Sequence, residues 1–222
     1  VEIMPTTTAI LPEVLGLDPD LVDYQAALEL QERTVADVVA GRSPGRVFLL
    51  EHQAVYTAGQ QARDLSEYPH PVDGTPVIHV NRGGKVTWHG PGQLTCYPIL
   101  PLADTTGIPL IKAMEACLIA AFAEVGVAGK IVPHRAGVWL DAEPTVKLAQ
   151  VGVHVSRGVS MHGFAVNCSL DPAVFRTFVP CGIRDAGVST LSEATGRTLT
   201  PRAFLPTLLP HLNRMIEKVT TS

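Results

Sequence analysis

The chain is poor in charge and lacks every feature that would announce a metal, a nucleic acid or a membrane. Of its 222 residues only 17% are charged, the net charge is −4, and no stripe of lysine or arginine is present. That balance argues against nucleic acid or an anionic membrane as the main partner. No apolar run approaches the roughly 20 residues that a bilayer span requires. No basic-then-apolar leader stands ahead of the domain, so a cytoplasmic location is expected. The four cysteines, Cys96, Cys117, Cys168 and Cys181, show no C-x-x-C spacing and no histidine at zinc-finger distance. Metal ligation is therefore not expected, nor is any cofactor, and the cysteines read as free thiols.

What is present is a large apolar fraction, 46%, in a chain long enough to bury a core without disulfide or metal. Residues 1–13 have no usable period and read as a loose arm. Residues 14–222 read as a single domain, with room for a small C-terminal lobe over 183–222. Apolar residues at three- and four-residue steps predict helices over 21–40 and 108–125, the second closed by Gly126. A third helix starts after Thr200, with Pro201 in its first turn. Pro206 and Pro210 each remove a hydrogen bond there, which predicts a kinked or split helix. Alternating or short apolar runs predict strands at 14–17, 47–50, 55–58, 76–80, 85–89, 93–100, 137–140, 146–156 and 160–167. The order of elements points to an α+β fold: a mixed, mostly antiparallel sheet with helices packed mainly on one side.

Four segments carry candidate chemistry. Cys181 lies in Val179-Pro180-Cys181-Gly182-Ile183, where proline and glycine favour a tight bend that would expose the sulfur. An arbitrary cysteine is more often a packed one, and Cys96, Cys117 and Cys168 sit in strand or helix patterns where cysteine behaves as a small hydrophobe. Lys147 opens a strand whose strict alternation puts it on one face with Ala149, Val151, Val153 and Val155. A strand-end lysine commonly snorkels to water. Yet the chain has only five lysines, and an ammonium beside a cysteine favours its thiolate. The third segment, RGGKVTWHGPGQ (residues 82–93), has two glycine turns a strand apart, which let backbone approach a ligand. The fourth is His162-Gly163-Phe164-Ala165-Val166-Asn167, a strand opening with histidine beside glycine. His52, His70, His134 and His211 read as structural.

Together these motifs, RGGKVTWHG with PGQL, KLAQVG (147–152), HGFAVNC (162–168) and VPCGI (179–183), resemble the lipoyl(octanoyl) transferases of the biotin/lipoyl protein ligase fold group. Weaker likeness extends from about Leu15 to Leu191 and includes LEHQAVYTAG (50–59). The resemblance implies a biotin/lipoyl protein ligase-like catalytic domain and an acyltransferase. Its reaction would move an octanoyl or lipoyl group from acyl carrier protein to a lysine of a lipoyl domain, the first step of endogenous protein lipoylation. By the same resemblance Cys181 carries the acyl group as a thioester and Lys147 activates it. Arg82, Gly83, Gly84, Lys85, Val86, Thr87, Trp88 and His89 would bind substrate, as would Gln150, Val151, Gly152, Gly163, Phe164 and Ala165, with His162 in support. Trp88 stands where another aromatic is common in the family, and residues 141–146 are poorer in basic residues than the family pattern.

The implied partners are octanoyl-acyl carrier protein, the lipoyl domains of 2-oxoacid dehydrogenase complexes and the glycine cleavage H protein. A monomer is expected. Burying the octanoyl tail could contribute up to about 5 kcal/mol, enough to sense chain length. The nearest rival is a lipoate or biotin protein ligase acting through an acyl-adenylate, which would need ATP and no cysteine. More distant are a cysteine hydrolase using Cys181 with His89 or His162, and a non-enzymatic binder of acyl carrier protein.

Overall fold

A computed structural model describes residues 10–62, 74–176 and 186–220. In chain order the elements are β1 (Pro12–Gly16), α1 (Tyr24–Val39), β2 (Arg46–Leu50), β3 (Val55–Ala58), β4 (Val77–His79), β5 (Val86–His89) and β6 (Gln93–Ile99). They continue with α2 (Ile108–Glu124), β7 (Gly129–Val132), β8 (Arg135–Leu140), β9 (Val146–Ser156) and β10 (Val159–Asn167). A 3-10 turn (Pro172–Arg176), β11 (Gly187–Val188), α3 (Leu191–Thr195) and α4 (Pro201–Thr220) complete the described chain. The main sheet has eight strands in the order β1-β2-β6-β10-β9-β8-β7, with β11 beside the start of β9. A small second sheet has the order β4-β3-β5. Within the main sheet only β1–β2 and β9–β11 are parallel, so the sheet is mixed and mostly antiparallel, the α+β architecture expected.

The alternation of β-strand side chains sorts the sheet into two faces. Leu94 and Cys96 of β6, Phe164 and Val166 of β10, and Ala149 and Val151 of β9 face α2 and α4 in the largest core cluster. Leu191, Leu199 and Phe204 join the same core, so the chain after β11 packs with the sheet. On the other face, Phe48, Leu50, Tyr97, Ile99 and Met161 pack against α1. Helix α1 starts where the Asp23 carboxylate accepts the N–H of Ala26 at 2.9 Å, satisfying an amide that has no partner within the helix.

One boundary, three short elements and one helix differ from the sequence expectation. Strand β1 begins at Pro12, inside what reads as the loose arm, because parallel pairing to β2 supplies partners its local pattern does not advertise. The short β7, β11 and α3 carry too few residues for a period. Helix α4 runs unbroken through Pro206 and Pro210 instead of splitting. Both prolines lie on its exposed side, where water can take the freed carbonyls, while Phe204, Leu208, Leu212 and Met215 hold the buried face in register.

Candidate active site

On the α1 face of the sheet, beside the helix, lies a cleft that opens to solvent. Its floor is a cross-strand row. Ala165 of β10 pairs with Thr95 of β6 on one side and with Gln150 of β9 on the other, and Gly163 pairs with Gly152 one step along. Glycine is required at 163, because a Cβ there would stand 2.2 Å from the Cys96 carbonyl oxygen. The result is a shallow bed of small residues, in which Thr95 Oγ1 and both amide atoms of Gln150 are buried without a hydrogen bond. Buried polar atoms without partners are costly, so the floor is built to meet a polar group as well as an apolar chain.

The walls come from Tyr24 at the start of α1, from Tyr97, from His162, and from the loop and strand carrying Arg82, Gly83, Gly84, Thr87 and His89. The loop is fastened to β9 on one side and to β3 on the other. Gly83 N–H donates to the Val153 carbonyl of β9 at 3.2 Å. The buried Arg82 guanidinium donates to the Thr57 carbonyl and hydroxyl at 2.7 and 2.8 Å and to the Gly83 carbonyl at 2.9 Å. Farther along, the buried Glu51 carboxylate accepts Gly92 N–H at 2.8 Å and Asp18 N–H at 3.0 Å, which holds the turn between β5 and β6.

Three buried histidines surround this cleft, and burial keeps all of them neutral near pH 7. Desolvation brings His52 down to about 4 and His162 down to about 3, the latter helped by the Arg82 charge. His89 lies well below the ordinary histidine range for the same reason, with His52 adding to the effect. His52 spends both ring nitrogens inside the fold, on the Val22 carbonyl at 3.0 Å and the Tyr97 hydroxyl at 2.7 Å. His162, held at φ 59°, bonds Asn81 Oδ1 through Nε2 at 2.7 Å.

Lys147 is 4% exposed, and its ammonium sits 4.9 Å from the centre of the Trp139 ring. A bulge explains how it gets there. Val138 of β8 pairs with Ala149, but the next residue, Trp139, pairs with Lys147, so β9 carries one extra residue at this point. Leu148 and Ala149 consequently both enter the core under α2, and Lys147 turns to the opposite face. That is the face of Trp139 and Gly137, and of Gln150 in the cleft floor. Strict alternation had put Lys147 with Ala149 and Val151; the bulge reverses it. Gly137 completes the device: at φ 119° it lies where a Cβ would be 3.0 Å from Lys147 Cε, and its N–H is taken by the buried Glu115 of α2 at 2.9 Å.

Residues 23–213 match the family of the lipoyl protein ligase A/B catalytic domain. The chain belongs to that family. It is 47% identical over 201 residues to an octanoyltransferase of Leifsonia xyli subsp. xyli, covering 89% of this chain and 88% of that protein. An octanoyltransferase of Pseudarthrobacter chlorophenolicus is 49% identical over 191 residues (84% and 85% covered), and one of Salinispora arenicola is 43% identical over 217 residues (96% and 99% covered). In fold it is similar to a lipoate-protein ligase A bound with ATP, at TM-score 0.68 and 9% identity over 95% of this chain and 86% of the other. A bi-partite lipoate protein ligase from Thermoplasma acidophilum gives TM-score 0.67 at 11% identity over 94% and 84%. These likenesses establish the lipoate/biotin protein ligase fold, and the relatives establish an acyltransferase.

Within this family fold the residues singled out from sequence separate into groups. Arg82, Gly83, Gly84, Thr87, His89, Gln150, Val151, Gly152, Gly163, Phe164, Ala165 and His162 line the one cleft. Lys85, Val86 and Trp88 do not. Alternation along β5 sends Val86 and Trp88 to the other side, into a cluster where Trp88 meets Phe175 edge-on at 6.2 Å. Lys147 shares the cleft's face of β9 but is not among the residues lining the cavity. Cys181 and its Pro-Cys-Gly bend lie outside the described residues. The other three cysteines are buried, and burial pushes their thiols up, Cys117 to about 12 and Cys96 and Cys168 well above the ordinary thiol range, which makes them poor nucleophiles. Sequence reasoning missed Tyr24, Thr95 and Tyr97. Only their strand or helix phase could have signalled them, and phase does not say which face holds a cleft.

Proposed function

We propose that this protein transfers an octanoyl group, or the related lipoyl group, from acyl carrier protein to a lysine of lipoyl domains, through a thioester on Cys181. The observation that carries the reading is the bulge that turns Lys147 onto the cleft's face of the sheet, in a chain whose relatives at 47–49% identity are octanoyltransferases. The small-residue floor suits an extended acyl chain, and the buried unpaired Gln150 and Thr95 suit the polar thioester end. The expected acceptors are the lipoyl domains of 2-oxoacid dehydrogenase complexes and the glycine cleavage H protein. No helix among the described residues is long and apolar enough to cross a membrane.

In the first half-reaction the Cys181 thiolate, favoured by the Lys147 ammonium, attacks the carrier's thioester carbonyl. A new C–S bond to Cys181 forms, the C–S bond to pantetheine breaks, and the departing thiolate takes the proton of Lys147. In the second, the acceptor lysine attacks as the neutral amine, its nitrogen bonds to the carbonyl carbon, and Cys181 leaves as thiolate. Lys147, now neutral, takes the proton that the amine releases. One residue thus serves both halves, because its charge alternates between them.

The test is intact-mass spectrometry after mixing the protein with octanoyl-carrier protein and no acceptor. One octanoyl group should add, be removed by hydroxylamine, and be absent in Cys181→Ala. Complete transfer should then proceed with EDTA present and without ATP or magnesium. An adduct on Cys96, Cys117 or Cys168, or strict dependence on ATP, would refute the reading.

A further inference from the structure

The hydrogen bonds around His89 determine which of its nitrogens carries the proton. The carbonyl of Ser189 can only accept, so the Asn167 side-chain nitrogen faces it, at 3.2 Å, and Asn167 Oδ1 faces the other way. That oxygen accepts from Gln93 Nε2 at 3.1 Å, and the same nitrogen also donates to the Trp88 carbonyl at 3.2 Å. Gln93 must therefore present Oε1 to His89 Nδ1, 2.8 Å away. An oxygen without a hydrogen can only accept, so Nδ1 bears the proton. In the neutral ring Nε2 is then a bare acceptor.

His89 differs in this respect from its neighbour His52, which uses both nitrogens within the fold. One face of the His89 ring stacks on Tyr24, with centroids 5.9 Å apart and planes inclined by 15°. Its Nδ1 edge is held by Gln93, the residue lines the cleft, and Nε2 makes no hydrogen bond among the described residues. The relay ends on Ser189, eight residues after Cys181. The N–H of that same residue donates to the Lys147 carbonyl at 3.0 Å. The orientation of His89 is thus coupled to the backbone that carries Lys147.

We propose that His89, fixed as the Nδ1–H tautomer by the Gln93–Asn167–Ser189 relay, offers Nε2 to the cleft as the hydrogen-bond acceptor for an N–H of the substrate. This rests on the acyl-transfer reading above and adds to it a group that recognises substrate without exchanging its own proton. Two sources supply such an N–H: the amide of the carrier's pantetheine arm next to the thioester, and the ε-amine of the acceptor lysine. A lone pair held in place favours the neutral amine with its own lone pair turned away, toward the thioester carbon.

Two measurements test it. Two-bond 1H–15N correlation spectra of the labelled full chain near pH 7 should show His89 protonated at Nδ1 and bare at Nε2. The proposal fails, whatever the protein's activity, if Nε2 carries the proton. Single-turnover kinetics then separate the two sources, using acylation by octanoyl-carrier protein and transfer from preformed acyl-enzyme to a lipoyl domain. His89→Phe keeps a ring against Tyr24 but removes the acceptor. It should slow one half-reaction by about tenfold or more, the cost of one lost hydrogen bond near the reacting atoms. Loss confined to acylation identifies the pantetheine amide, and loss confined to transfer identifies the amine. His89→Gln, which returns an oxygen acceptor, should recover part of either loss. Wild-type rates in both halves for His89→Phe, or slowing of both that His89→Gln does not relieve, would overturn the proposal. Acylation of the wild-type enzyme by the carrier, run alongside, checks the acyl-transfer reading separately.

Discussion

Acid should unfold this protein at an unusually mild pH, and the buried histidines set how fast. His52 and His162 are held near 4 and 3, and His89 lies well below its ordinary value of 6.5. The unfolded chain binds a proton at each of these histidines below about pH 6.5, whereas the folded chain does not. Stability attributable to them is therefore fully present above 6.5 and is lost as pH falls toward the folded values. Each depressed histidine contributes a slope of about 1.4 kcal/mol per pH unit in that window, so three together give about 4. Between pH 6.5 and 4.5 His52 and His162 together lose roughly 4 kcal/mol and His89 adds to that loss, against about 5–15 kcal/mol for the whole stability of an ordinary domain. Urea unfolding followed by tryptophan fluorescence at pH 7.5, 6.5, 5.5 and 4.5 measures this directly. The decisive variant is His52→Asn, which can still donate to the Val22 carbonyl but cannot titrate. It should be less stable at pH 7.5 by about 1–3 kcal/mol, having lost the Tyr97 bond. Its slope between pH 6.5 and 4.5 should nevertheless fall by about a third. Equal slopes in wild type and variant, or a flat wild-type profile, would show that these rings take up protons in place.

Three further outcomes follow from the site. Lys147→Ala should slow acylation of Cys181 at pH 7 and recover part of the rate as pH rises, while Lys147→Arg, which cannot accept a proton, should spare acylation more than transfer; wild-type acylation by both variants in single-turnover assays would remove Lys147 from the mechanism. Gly137→Ala should destabilise by about 2–4 kcal/mol in thermal or urea melts, because the new Cβ would lie 2.3 Å from the Ala149 carbonyl at φ 119°. The same change should hinder acylation through the displaced Lys147 chain. Ala165→Leu puts a branched side chain between Thr95 and Gln150 on the cleft floor, so competition between octanoyl and shorter acyl carriers should shift toward the shorter by tenfold or more, about 1–3 kcal/mol.

The long periodic elements were legible from local sequence because their periods survive folding: the strands at 55–58 and 146–156 and the helices α1 and α2 appear where alternation and three-four spacing put them. The ordered motifs around Arg82, Lys147 and His162 likewise marked the segments that converge on one cleft. What local sequence could not contain was phase. A single extra residue opposite Val138 turns Lys147 from the apolar face to the cleft's face, and the pairing that creates it lies on another strand. Phase also divides RGGKVTWHG, sending Thr87 and His89 to the cleft and Val86 and Trp88 away from it. Pro206 and Pro210 are harmless in α4 because tertiary packing leaves them on the wet side of the helix. The tautomer of His89 depends on Gln93, Asn167 and Ser189, residues far apart in the chain, so only the folded sheet decides which nitrogen faces the cleft.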